Sequence, residues 1–83
     1  MMQRRMSIKD DIDLLRCREA AGLMAQQLGF NLADQVRITT AVSEIVRNVL
    51  KYAGKGEMQI VESPRSGMRI CITDAGPGIA DVS

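Results

Sequence analysis

The 83-residue sequence contains no histidine and no tryptophan. Without histidine the chain carries no Ser-His nucleophilic pair, no imidazole base, no His-containing zinc site and no phosphohistidine relay. Phe30 and Tyr52 are its two aromatic side chains. A nucleic-acid surface built on stacked bases needs more rings than that. Eleven basic against ten acidic residues leave a net charge of +1. That balance supplies no field for a phosphate backbone, so nucleic acid is not an expected partner. Cys17 and Cys71 lie far apart and in no C-x-x-C pair, which argues against a metal site or a disulfide framework. They read as two buried, reduced thiols of a cytoplasmic protein. No apolar run reaches the length of about 18 residues that a membrane span needs. The charged start, Met1 to Arg5, leads into no apolar signal core.

What remains is ordinary for a globular chain: 46% hydrophobic and 25% charged residues. The length allows one small core, with roughly 60–65% of the unfolded surface buried. Gln3 to Ile8 reads as a short first strand. Asp10 and Asp11 then offer N-cap oxygens, and Asp13 adds negative charge where a helix dipole favours it. Leu14, Cys17, Ala21, Met24 and Leu28 recur at helical spacing and form a core stripe. Gly29 suits the C′ position that ends such a helix. Ile12, Leu15 and Leu23 fall roughly opposite the stripe, which suggests a contact with a partner or subunit there.

Asn31 is placed to cap a second helix, with Asp34 in its first turn. The helical pattern runs to about Ala53. Ile38, Ala41, Val42, Ile45, Val46, Val49, Leu50, Tyr52 and Ala53 cover a broad apolar arc, which predicts burial between two layers. Gly54-Lys55-Gly56 ends the helix. Glu57 to Glu62 and Met68 to Thr73 read as strands joined by Ser63-Pro64-Arg65-Ser66-Gly67, an antiparallel hairpin. Met68, Ile70 and Ile72 share one face of it; Arg69, Cys71 and Thr73 share the other.

Two groups of residues are candidates to carry chemistry. Glu44 and Asn48 stand four apart on one helical face, at the edge of the apolar arc. A carboxylate there can act as a base, and an amide oxygen can bind a hard cation such as Mg²⁺. Taken alone, the spacing is weak evidence, because Glu-x-x-x-Asn is common on helices and is more often an ordinary exposed pair. Asp74 shares its parity with Ile70 and Ile72. If the strand reaches it, its carboxylate turns toward the helices and must find a donor, for which an exocyclic purine amine would serve. Gly76 and Gly78 let backbone approach a ligand closely, with Pro77 stiffening the loop between them. The alternative is a glycine-rich surface turn in which Asp74 is a capping residue.

The combination is more specific than either part. Ser43-Glu44-Ile45-Val46-Arg47-Asn48-Val49-Leu50-Lys51-Tyr52-Ala53 resembles the N box of the GHKL ATPases. Asp74-Ala75-Gly76-Pro77-Gly78-Ile79 resembles their first glycine box, D-x-G-x-G-I, with one hairpin between the two. Within that superfamily the chain is most similar to the anti-sigma regulatory factors. Asp34 to Glu44 and Tyr52 to Gly56 look like the switch serine/threonine kinases of the bacterial stressosome. The likeness runs from the first strand to Ile79.

The resemblance implies an α+β, two-layer α/β sandwich of the Bergerat (histidine-kinase-like ATPase) type. Both helices would lie on one face of a small mixed or antiparallel sheet. It implies that ATP and Mg²⁺ are cofactors. Asn48 would coordinate the metal, and Glu44 would be the general base toward a hydroxyl. Asp74 would accept from the adenine amine, and Gly76, Gly78 and Ile79 would shape the adenine pocket. Lys51 matches a position near the phosphates in sensor kinases. The family continues into an ATP lid and a second glycine-rich box, so residues 1–83 are expected to be the N-terminal part of a single longer domain. The implied function is a serine/threonine kinase that phosphorylates STAS-type anti-sigma antagonists or stressosome scaffold proteins in a stress-response switch. A sigma factor or a phosphatase is a further partner, and self-association a further expectation. The alternatives are a non-catalytic anti-sigma or scaffold-binding module, and an ATPase piece of a larger GHKL machine.

Overall fold

Asp10, with extended backbone, accepts a hydrogen bond from the Asp13 amide on its Oδ1 at 3.0 Å and so caps the first helix. In the computed structural model, which describes residues 2–65 and 67–74 and the backbone of 79–82, that helix is α1, Asp11–Gln27. A strand, β1 (Gln3–Ile8), precedes it. At the far end Gly29 takes φ +87°, its N–H donates to the Gln26 carbonyl, and the Phe30 N–H reaches back to that of Ala25. Those two bonds make a Schellman C-cap, whose left-handed residue is the predicted Gly29. Asn31 then accepts from the Asp34 amide at 2.8 Å and starts α2, Leu32–Tyr52.

The chain returns in β2 (Gly56–Ser63) and β3 (Gly67–Asp74), and β4 (Ile79–Val82) follows. The four strands form one antiparallel sheet in the order β1-β2-β3-β4. The protein is thus α+β, with two helices against an antiparallel sheet. Ile8, Met58, Ile60, Met68, Ile70 and Ile72 all bury, and their parity and register put them on one sheet face. They meet Leu14, Cys17, Ala21 and Met24 of α1 and Val42, Val46 and Val49 of α2 in a single core. The helices approach closely where Gly22 passes Thr39: a Cβ on Gly22 would stand 3.1 Å from the Thr39 methyl.

Three expectations are corrected. The arc of α2 does not bury between two layers. Val42, Val46 and Val49 are buried, whereas Ile38, Ala41, Ile45, Leu50 and Ala53 are half-buried and Tyr52 is 77% exposed. Tyr52 instead offers its ring to the Lys51 ammonium, 5.2 Å from the centroid. The two thiols also differ: Cys17 is buried, but Cys71 lies on the outer sheet face and is half-buried. Finally, both hairpin strands are longer than the hydrophobic alternation suggested, because the ladder continues through polar pairs to Ser63–Gly67 at one end and Gly56–Asp74 at the other. Ile12, Leu15 and Leu23, opposite the core stripe, are exposed.

Candidate nucleotide site

The hairpin places Asp74. Because β3 reaches it, Asp74 has the parity of the buried Met68, Ile70 and Ile72. Its cross-strand partner is Gly56. Residues directly opposite in an antiparallel pair point to the same face. That face is the helix face, since a Cβ on Gly56 would stand 2.9 Å from Val49 Cγ1. Val49 follows Asn48, so the last turns of α2 lie over the end of the hairpin that carries Asp74.

Asp74 as a residue is half-buried, but its Oδ1 is shielded from solvent and accepts no hydrogen bond from any described residue. A buried oxygen of this kind costs free energy unless a donor reaches it, on the order of 1–3 kcal/mol and more when charged. Among the buried side-chain polar atoms of the described residues this one stands without a partner, which calls for an explanation, and a ligand that brings a donor is one. Asn48 does not supply that donor.

In the sequence Gly56 belongs to the Gly54-Lys55-Gly56 helix stop. In the fold it has a second role. A Cβ there would lie 2.4 Å from the Thr73 carbonyl oxygen and 3.1 Å from Asp74 Cα. The absent side chain lets β3 and α2 close on this corner. A glycine beside a strand is compatible with such an approach, but the sequence does not say which backbone comes near it.

Glu44, Asn48 and Lys51 lie on α2 at helical spacing and all three are exposed. Ser43 beside them is buried and its hydroxyl donates to the Thr39 carbonyl at 2.8 Å. That bond holds the helix backbone just ahead of Glu44. Gly76 and Gly78 lie outside the described residues. Ile79 opens β4 opposite Thr73. Among the described residues no three His, Cys, Asp or Glu side chains gather as a metal cluster, and no helix is long and apolar enough to cross a membrane. A single amide oxygen is too sparse a donor set for a protein-only metal cage. It suits a cation that keeps waters and takes its other ligands from phosphates.

The chain is similar in sequence to "Serine/threonine-protein kinase RsbT" of Bacillus subtilis (strain 168), with 41% identity over 78 residues. The match covers 90% of this chain and 59% of that protein, so the chain spans somewhat over half the length of the relative. No family model matches the chain, and no solved structure does. An identity of that level over nearly the whole chain makes the two related.

Proposed function

We propose that this chain is the adenine-binding and metal-binding part of a kinase-like anti-sigma regulator. In this reading its fold is of the Bergerat type, and residues 1–83 carry the N box and first glycine box of a single GHKL domain. One observation carries the reading: Asp74 Oδ1 is buried, without a donor among the described residues, on the sheet face that the last turns of α2 cover. The exocyclic amine of adenine is a donor of the kind this oxygen lacks. The related kinase supplies the reaction class, transfer of a phosphoryl group to serine or threonine.

When bound, Mg-ATP supplies the phosphoryl group. The residues present fit it in part. Asp74 would hold the adenine edge and Asn48 would offer one oxygen to the Mg²⁺, and the resemblance assigns Gly76, Gly78 and Ile79 to the pocket around the adenine. Lys51 offers positive charge close by. Glu44, one turn before Asn48, accepts the proton of the attacking hydroxyl and holds it at a carboxylate oxygen. Catalysis of phosphoryl transfer is mostly positioning and charge neutralisation, and these side chains suit both. The substrate in this reading is a STAS-type anti-sigma antagonist or a stressosome scaffold protein.

Titration calorimetry of the protein with Mg-ATP and Mg-GTP tests the pocket, with ATP expected to bind and GTP not. Mass spectrometry after incubation with ATP, Mg²⁺ and a STAS-domain protein tests the transfer, with phosphoserine or phosphothreonine expected on the partner. Equal binding of both purines overturns the role of Asp74. A second reading, a non-catalytic module that sequesters a protein, is favoured by the exposed Ile12, Leu15 and Leu23. Partner binding without phosphate would select it.

A further inference from the structure

The outer edge of the sheet at β1 is open among the described residues, and its chemistry is not that of a bare edge. The Glu62 amide donates to the Met2 carbonyl, which makes Met2–Glu62 a hydrogen-bonded pair. Pairs alternate along an antiparallel ladder. In the register observed, Arg4, Met6 and Ile8 therefore bond to β2, while Gln3, Arg5 and Ser7 turn their N–H and C=O groups outward. On the helix face the same strand reads Met2, Arg4, Met6, Ile8: apolar, basic, apolar, buried. Beside it a cleft of about 190 Å³ runs between β1 and α1, floored by Ala20, Leu23 and Met24 and walled by Met2 and Arg4. A second hollow continues it past Met6 to Arg16 and Glu19. Leu23, half exposed, belongs to both.

Charge decides what fits. Arg16 already has Asp13 at 3.6 Å and Arg5 has Glu57 at 3.4 Å, but Arg4 makes no ion pair among the described residues, with Glu19 lining the same hollow without pairing to it. A second copy pairing β1 with β1 is disfavoured in each register that uses most of the strand. Centred on Arg5, it opposes Arg5 to Arg5. Centred on Arg4, it opposes Arg4 to Arg4. Like charges directly opposite destabilise a pair. Centred on Met6, it sets Arg4 against Ile8, a position with no solvent exposure. A strand with acidic residues beside Arg4 and apolar ones beside Met2 and Met6 meets none of these conflicts.

We propose that β1 and the cleft beside it are the docking site for an extended acidic segment of a protein partner, added as a fifth strand. Main-chain bonds to Gln3, Arg5 and Ser7 hold the segment. Its apolar side chains enter the cleft over Ala20, Leu23 and Met24, and a carboxylate pairs with Arg4. This is strand addition, in which backbone gives affinity and alternate side chains give selectivity. The site lies two strands from β3 and does not depend on the nucleotide reading.

The probe is an N-acetylated peptide of about ten residues in which every second residue reads valine, glutamate, valine and the residues between them are threonine, with the peptide that carries lysine in place of glutamate as control. Hydrogen exchange by NMR on the whole protein, without nucleotide, should show the amides of Gln3, Arg5 and Ser7 becoming protected with the acidic peptide, while the β2-bonded amides of Arg4 and Met6 change little. Arg4→Glu should weaken binding by about tenfold or more and abolish its salt dependence. Ser7→Pro removes one outward donor at an edge that tolerates proline and should weaken binding too, with circular dichroism checking the fold. Absence of protection, or equal binding of the lysine peptide, overturns the proposal. Protection that rises with protein concentration and no peptide overturns it in favour of a second copy.

Discussion

Gly56 and Asp74 face each other across β2 and β3, and the bare Cα of the first makes room for the backbone of the second. A Cβ on Gly56 would meet the Thr73 carbonyl oxygen at 2.4 Å and Val49 Cγ1 at 2.9 Å. One of these neighbours is fixed backbone, so the clash cannot be relieved by a rotamer change alone. The geometry ties the hairpin end, and Asp74 with it, to the helix turn that follows Asn48.

Gly56→Ala should therefore destabilise the fold, by about 1–3 kcal/mol as an overpacked site. The backbone at Gly56 is not left-handed, so the cost comes from crowding and not from φ. Urea unfolding followed by circular dichroism gives the number. A change below about 0.5 kcal/mol would mean that the strands shift apart freely at this corner.

Asp74→Asn separates stability from binding. The protein holds a buried carboxylate oxygen with no donor among the described residues. A neutral amide of the same size is cheaper to bury. The variant should be at least as stable as the parent, by about 1 kcal/mol in its favour, and should bind ATP more weakly by about 1–3 kcal/mol. Paired urea and calorimetry measurements read both quantities. A variant that loses stability would show that Asp74 serves the fold instead.

Cys17 gives a pH signature. Burial, with the nearby Asp13 carboxylate adding to it, pushes its thiol from 9.0 up to about 11. The folded value is above the unfolded one, so the stabilising contribution is intact below pH 9. It is lost as the pH rises through about 11, because the unfolded chain releases the proton first. The loss across that window is on the order of 2 kcal/mol. Thermal melts from pH 8 to 11 should show the fall, and Cys17→Ala should flatten it. A disulfide-exchange reagent at pH 8 should react with Cys71 well before Cys17.

Both helices were legible in the sequence because their caps are local. Asn31, Asp10 and Gly29 act on amides and carbonyls within a few residues, and each does so in the fold. The stripe of α1 was equally legible, since a 3.6-residue period fixes which side is buried. The arc of α2 was not. Ile45, Leu50 and Tyr52 widen it in the sequence, and only the tertiary neighbours decide how much of an apolar arc is covered. Asp74 was legible in parity, because a strand alternates strictly once its end is known. The close approach at Gly56 was hidden, as it depends on a cross-strand partner 18 residues away and on Val49 of the preceding helix.

Asn48 and Glu44 should fail differently. They lie one helical turn apart on α2, both exposed, so neither substitution removes core packing. Asn48 stands beside Val49, which packs on the corner that holds Asp74, and it offers an amide oxygen suited to a hydrated Mg²⁺. Glu44 is a turn farther from that corner and offers a base. Asn48→Ala should abolish the Mg²⁺-dependent part of ATP binding while leaving the metal-free part in place. Glu44→Ala should leave binding nearly intact and slow transfer to a hydroxyl by on the order of 10²–10⁴-fold, the contribution of a general base. Calorimetry with and without Mg²⁺, alongside single-turnover transfer to a STAS-domain protein, separates the two. Equal loss of binding in both variants would contradict the division, and would make the pair one structural unit at the edge of α2.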